Sequence, residues 1–479
     1  MLSLLTRVTP WRAFWLAFIV LNAFGLWAVS ATADLDQAEQ LVFSQAWQLG
    51  YSAQPPLYTW LVAGLFTFTG PHLGALLLLK AALLAGLVIL LDRLALRVGL
   101  SDPQRAVALA GLALLPQFLW EAQRDLTHSI LAAVFSLALL LQALRARERG
   151  RVGDYLLLGG LAGLGLLSKY NLVLLLAALV VAAALSPTYR VLLRGPWPWV
   201  AALVATAVLA PHLAWVAGHA GIAAGIEGKL NQADATAWAG LGAVLVKAIA
   251  FLTPLWLFVL PWIWRAARDR AWPDSPAWRF LAVLFLAVLG VMVGFVLASG
   301  ADRIRDRWYM PLLPFVPVLV AALAPARPSR ILLATGAGLM LVTAILLPLR
   351  TLMIDHSARP MSVNEPYAAH FAAIAAETGA PVLIYAENKF IGGNARLSFP
   401  EARVVTPDFD RTPEPSAGPV WLLCEQPRCG SNFRTWLAEQ RGLDPAGLDW
   451  HASWQPYVGS ARHRHSLWWS LLARPKAPS

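Results

Sequence analysis

Apolar runs of about twenty residues, separated by short polar breaks, recur from about residue 13 to residue 348 of this 479-residue chain. Each is long enough to cross a hydrocarbon core about 30 Å thick as a helix. The chain is therefore a polytopic α-helical membrane protein. Only 14% of its residues are charged, against about a quarter in a soluble domain. The formal charge of +11 then speaks to topology and to anionic headgroups. A nucleic-acid partner would need a basic soluble module, and the sequence contains none.

About eleven spans are expected, near 13–31, 72–91, 105–120, 127–144, 154–168, 171–186, 197–216, 241–263, 279–299, 309–324 and 330–348. Small residues at Ala28–Ala33 imitate a signal-peptidase site. The later spans need an uncleaved first helix to keep their order, so a signal anchor behind Arg7 and Arg12 is expected. Arginines crowd alternate loops (Arg93 to Arg105, Arg145 to Arg151, Arg190 and Arg194, Arg265 to Arg270, Arg327 and Arg330), which places those loops in the cytoplasm. The first loop, about 32–71, and everything beyond residue 350 then lie outside. Lys80 and Lys247 fall within spans, where snorkelling accounts for them and a substrate role is the alternative.

Residues 1–349 form the membrane domain, and 350–479 read as a small α/β domain. Strands are expected at 381–385, 402–406, 420–424 and 466–472, with helices at 388–399 and 431–440. The two cysteines, Cys424 and Cys429, are a disulfide or a pair of buried thiols. The Arg462-His463-Arg464-His465 run reads as a solvated basic edge, with weak metal binding as the alternative.

Chemistry is expected on the outer face. Asp34-Leu35-Asp36-Gln37-Ala38-Glu39 follows the first span and runs on to Gln54-Pro55-Pro56-Leu57-Tyr58. Carboxylates half-dehydrated at a membrane boundary are costly, so they point to function; the bland alternative is a solvated loop marking a helix end. Cations on this side cluster beside acids and aromatics: Arg124-Asp125, Lys169-Tyr170, and Asp302-Arg303-Ile304-Arg305-Asp306-Arg307-Trp308-Tyr309. They suit a phosphate, unless Arg303 to Arg307 merely pair with Asp302 and Asp306. Of the 22 tryptophans, Trp256, Trp262 and Trp264 suit an interfacial belt. Trp47, Tyr51, Tyr58 and Trp60 are candidate sugar-stacking rings.

In order along the chain, the acid-bearing first loop, Pro55-Pro56-Leu57-Tyr58-Thr59-Trp60-Leu61, Arg124-Asp125-Leu126-Thr127-His128, Gly163 to Lys169-Tyr170-Asn171, and Arg307-Trp308-Tyr309-Met310-Pro311 make up one pattern. The pattern resembles the GT-C glycosyltransferases, closest to family 39, the group of the protein O-mannosyltransferases and the lipid A aminoarabinose transferase. The resemblance implies a GT-C fold and transfer of a sugar from a polyprenyl (undecaprenyl) phosphate donor to an envelope lipid, glycan or protein. That transfer would occur at the periplasmic face of the bacterial inner membrane.

By the resemblance, Asp36 is the catalytic base, with Glu39 and Asp125 as further acids. Asp34, Gln54, Tyr58, Arg124, His128, Lys169, Arg303, Arg305, Arg307 and Tyr309 are expected to bind substrate. No cofactor is implied; a divalent metal ion, if used, would fall to Asp36, Glu39 and Asp125. Two positions depart from the family pattern: Gln37 stands where a second acid is usual, and Gln54 where Lys or His precedes Pro-Pro. A transporter or flippase of a lipid-linked sugar is the alternative; it would favour internal repeats and helices broken near the midplane. A scaffold would have no use for the cations.

Overall fold

The computed structural model describes residues 10–51, 53–219, 221, 237–325, 330–356, 360–410 and 418–472. Arg7, Arg327 and most of the loop 217–240 lie outside them. The chain divides into two compact units, one of residues 1–21, 53–58 and 80–344, the other of residues 22–52, 59–79 and 345–479.

Among the described residues, six helices are long and apolar enough to cross a membrane: Pro10–Val29, Leu73–Val98, Thr127–Arg149, Trp197–Ala217, Pro276–Ser299 and Arg330–Leu352. Two bent pairs raise the number to eight if each is one span, Asp102–Leu112 with Gln117–Arg124 at 73° and Trp238–Leu252 with Leu255–Arg268 at 94°. Shorter apolar helices cover Leu57–Thr69, Val152–Ser168 and Leu172–Leu185. The protein is thus a multi-pass membrane protein, and a total of eleven spans is not established by these helices.

Two expectations need correction. Residues 309–324 are not one helix: a 3-10 turn at Asp306–Tyr309 is followed by turns and a short helix at Val316–Ala321. Pro311, Pro314 and Pro317 each remove a backbone donor from that stretch. The first outer loop, conversely, contains the helices Leu35–Phe43 and Leu57–Thr69.

In the first unit, buried apolar side chains including Phe118, Phe280 and Phe315 form a continuous core. The helix Ala237–Leu252 is locked to the stretch after Gly300. A Cβ on Gly240 would lie 2.3 Å from the Ala301 carbonyl oxygen, so only glycine permits that approach. The Tyr309 hydroxyl donates to the Val244 carbonyl at 2.7 Å in the interior.

In the second unit a five-stranded sheet has the order β2-β1-β3-β5-β4. The strands are β1 Leu383–Ala386, β2 Arg403–Val405, β3 Val420–Cys424, β4 His451–Pro456 and β5 Arg464–Leu472. β1 pairs in parallel with β2 and β3, while β5 runs antiparallel to β3 and β4. Four of these strands and the helices Lys389–Ser398 and Ser431–Arg441 match expectation. β4 and the helix Tyr367–Thr378 are additions. Cys424 and Cys429 form a disulfide.

The basic-edge reading fails for His465. Its Nδ1 lies 3.0 Å from Nε2 of buried His370, while His370 Nδ1 lies 2.8 Å from the Ser453 hydroxyl. Burial, then the neighbouring His465, lowers the His370 pKa to about 3. Between the ordinary value of 6.5 and 3 the unfolded chain binds the extra proton, so acidification through that window favours unfolding. His370→Asn removes this term. Its stability relative to wild type should therefore rise by about 3 kcal/mol between pH 7 and pH 4, read from urea midpoints in detergent.

Candidate functional site

The acids of the first outer loop fold with the C-terminal domain. Asp34 caps the helix Leu35–Phe43: its carboxylate accepts from Leu35 N at 2.8 Å, and Gln37 Oε1 accepts from Asp34 N at 3.0 Å. This capping box explains the departure at Gln37, whose side chain holds the helix start. Ser362 donates to the same Asp34 oxygen at 3.2 Å. Asp34 is thereby a structural acid, and Asp34→Ala should cost about 1 kcal/mol, seen as a lower unfolding midpoint.

Asp36 sits in the first turn of that helix and is half-buried. Glu39, one turn on, is buried and forms an ion pair with Lys389, which opens the helix Lys389–Ser398. Lys389 also lies 3.8 Å from Asp408. Burial, opposed by Lys389, holds the Glu39 carboxyl above the usual carboxylate range. Burial likewise disfavours the Lys389 ammonium, but Glu39, Asp408 and Asp36 together outweigh it and raise its pKa. Glu39 is thus neutralised by a fixed cation, and Asp36 stands beside a pair that already balances itself.

The two helices touch closely. A Cβ on Gly393 would come 2.2 Å from the Ala38 carbonyl oxygen, so glycine is required there. Buried Arg396 donates to the Leu41 carbonyl and, at 3.1 Å, to the Ser44 hydroxyl, closing the other end of the acidic helix. Burial lowers its pKa to about 10, which leaves it charged at neutral pH. Lys389 and Arg396 went unnoticed in the sequence. Trp60 donates to the Gln48 carbonyl at 2.7 Å, and Tyr51, buried, stacks on Phe43. Trp47 is 59% exposed.

The other unit carries a cavity of about 720 Å³ with a charged lining. Arg303, Arg305 and Arg307 come from one stretch. The extended backbone at Arg305 turns Arg303 and Arg305 outward, with Ile304 buried between them. Among the described residues none forms an ion pair with these three arginines. Asp306 is occupied elsewhere, accepting from Gln117 Nε2 at 2.8 Å and from Arg307 N at 2.9 Å.

The opposite walls supply Lys247, Arg124 and Asp125. Arg124 pairs with Glu121 at 2.8 Å, and the buried Lys80 ammonium donates to the Arg124 carbonyl at 2.9 Å. Leu126 has φ 71°, a conformation costly for a branched side chain, which fixes the turn that presents Asp125. A π-helical stretch at Gln117–Glu121 completes this wall.

The remaining expected residues do not line the cavity. Lys169 bonds the Ser129 hydroxyl, and His128 lies 3.3 Å from the Ser168 carbonyl with its ring 5.4 Å from that of Tyr58. Tyr309 is buried in the Val244 contact, a packing role. Gln54 is half-buried before the Pro55-Pro56 turn. Among the described residues no three His, Cys, Asp or Glu side chains gather to hold a metal ion.

An apolar groove of about 900 Å³ runs between the helices Leu172–Leu185 and Pro276–Ser299, floored by Gly290 and Gly294. Its Phe295 ring lies 6.3 Å from that of Trp308, the neighbour of Arg307. Grease and cations therefore adjoin within one unit.

Comparison with known proteins shows the family and the fold. The family model of dolichyl-phosphate-mannose-protein mannosyltransferases matches residues 53–215. The chain is 32% identical over 433 residues to the lipopolysaccharide core galacturonosyltransferase RgtA of Rhizobium johnstonii, covering 85% of each chain. It is 29% identical over 451 residues to RgtB, of the same name and organism, covering 89% of this chain and 90% of that one. The crystal structure of ArnT from Cupriavidus metallidurans bound to undecaprenyl phosphate has the same fold, with a TM-score of 0.61 at 14% identity. That match covers 96% of this chain and 98% of ArnT.

Proposed function

We propose that this chain, which belongs to the GT-C family of membrane glycosyltransferases, transfers a uronic acid from a polyprenyl-phosphate donor to the saccharide of lipopolysaccharide. The reaction is placed on the periplasmic face of the inner membrane, where the arginine-rich loops would leave the cations and the acidic loop. The observation that carries it is the cavity lined by Arg303, Arg305 and Arg307, which form no ion pair among the described residues, beside an apolar groove, in a chain so similar to galacturonosyltransferases. An amphipathic lipid phosphate needs both surfaces. The neighbouring fold of ArnT binds undecaprenyl phosphate, which supports the same class of carrier.

In this reading Arg303, Arg305 and Arg307 take the phosphate through charge-assisted hydrogen bonds, and the prenyl chain follows the groove. As the bond from the anomeric carbon to the phosphate oxygen breaks, negative charge grows on the leaving phosphate, where those guanidinium groups stabilise it most. Asp36 accepts the proton of the acceptor hydroxyl while its oxygen attacks the anomeric carbon. Asp125 binds sugar hydroxyls.

Mass spectrometry of lipopolysaccharide and membrane lipids from cells with and without the chain tests the proposal. Loss of one hexuronic acid from the saccharide, with its polyprenyl-phosphate donor accumulating, is expected. Loss of the same uronic acid with the donor trapped on the inner leaflet would instead establish a flippase, and an unchanged saccharide would overturn both readings.

A further inference from the structure

We infer that Lys247 is the specificity residue of the donor site, reading the carboxylate that separates a uronic acid from a neutral hexose. The inference rests on the proposed transfer and assigns one cation of the cavity to the sugar rather than to the carrier.

Charge balance leads to it. The cavity is lined by five basic and three acidic side chains, a surplus of two positive charges (5 − 3). A prenyl phosphodiester brings one negative charge, so a neutral sugar would leave one cation uncompensated inside a membrane protein, at a cost. A uronate carboxylate supplies the second charge. Of the cavity's cations, Lys247 and the three arginines of the 303–307 stretch form no ion pair among the described residues, while Arg124 is held by Glu121.

Position separates the two kinds of cation. The arginines share one stretch and present planar forks suited to phosphate oxygens. Lys247 projects from another wall, the helix Ala237–Leu252, as a compact point charge. That helix is apolar but for this residue, so its ammonium needs either a watery cavity or an anion. Its helix is anchored at two points before it: Gly240 against Ala301 lies about two turns earlier, and the Tyr309 hydroxyl on the Val244 carbonyl lies three residues earlier. A cation held this firmly can discriminate, whereas a snorkelling lysine would follow solvent.

The test uses the full chain in nanodiscs, with undecaprenyl-phosphate galacturonate and undecaprenyl-phosphate galactose as donors and lipopolysaccharide core as acceptor. Wild type should prefer the uronate in kcat/KM. Lys247→Met should lower kcat/KM for the uronate donor by about 10- to 100-fold, spare the galactose donor, and leave the Kd for bare undecaprenyl phosphate unchanged. Lys247→Arg should restore most of the preference, which a merely structural lysine would not require.

Equal loss for both donors, or weakened binding of bare undecaprenyl phosphate, would make Lys247 a carrier contact and overturn the inference. Equal use of both donors by wild type overturns it while leaving the transferase intact. Transfer from neither overturns the proposed function and the inference together.

Discussion

Asp36→Asn should abolish sugar transfer, lowering kcat by about 10²- to 10⁴-fold, the usual yield of a positioned general base. It should do so without unfolding the protein. Asp36 is half-buried in the first turn of its helix; the cap belongs to Asp34 and the buried ion pair to Glu39. An isosteric amide therefore removes the basic oxygen and little else. Single-turnover assays with the lipid-linked donor would measure the loss, and an unaltered melting curve would show that chemistry was lost and structure kept. Turnover within a factor of three of wild type would remove Asp36 from the mechanism.

Lys389→Met should destabilise the second unit by about 3 kcal/mol, because it strands Glu39 as a lone buried carboxylate. The lower end of the usual range is appropriate, since Lys389 keeps 26% of its side chain exposed and Glu39 only 11%. Raising the pH should deepen the loss as Glu39, already held above the ordinary carboxylate range by burial, is forced to ionise without its partner. In that variant folding takes up a proton that the unfolded chain has released, so stability falls as pH rises above the ordinary value near 4.5. Glu39→Gln in the same chain should recover most of the loss. The double-mutant cycle then yields the coupling energy, and a value near zero would show that the pair is a bystander.

Much of this architecture was legible from simple signals. Apolar run length gave the long helices, and the strand pattern beyond residue 380 gave four of five strands. Failures have physical causes. The 13-residue helix Leu57–Thr69 is too short to be read as a span, so it passed for loop. Residues 309–324 are apolar enough for a span, but three prolines interrupt them, and hydropathy alone is blind to a missing donor.

At the candidate site, the cations of 303–307 stood out because arginine is rare on that face. The roles of the acids did not separate until the backbone was seen. Asp34-x-x-Gln37 is a capping-box spelling that could have distinguished Asp34 from Asp36. Lys389 had no local signal at all, since its partner lies 350 residues away. Lys247 was visible but ambiguous, because snorkelling and ligand binding look alike until a cavity is placed beside the ammonium.

The union of the Leu35–Phe43 helix with the Lys389–Ser398 helix also imposes a timetable on biogenesis. The acidic helix leaves the ribosome early, and its clasp follows 350 residues later, a delay of roughly 20 to 70 seconds at ordinary rates of synthesis. Through that interval Glu39 has no counter-ion and Ala38 no glycine to receive it. The segment bearing Asp36 therefore waits as an unfinished piece while the membrane helices are inserted. A chain cut short between about residue 352 and residue 389 keeps the membrane helices but loses the clasp, and is expected to transfer no sugar.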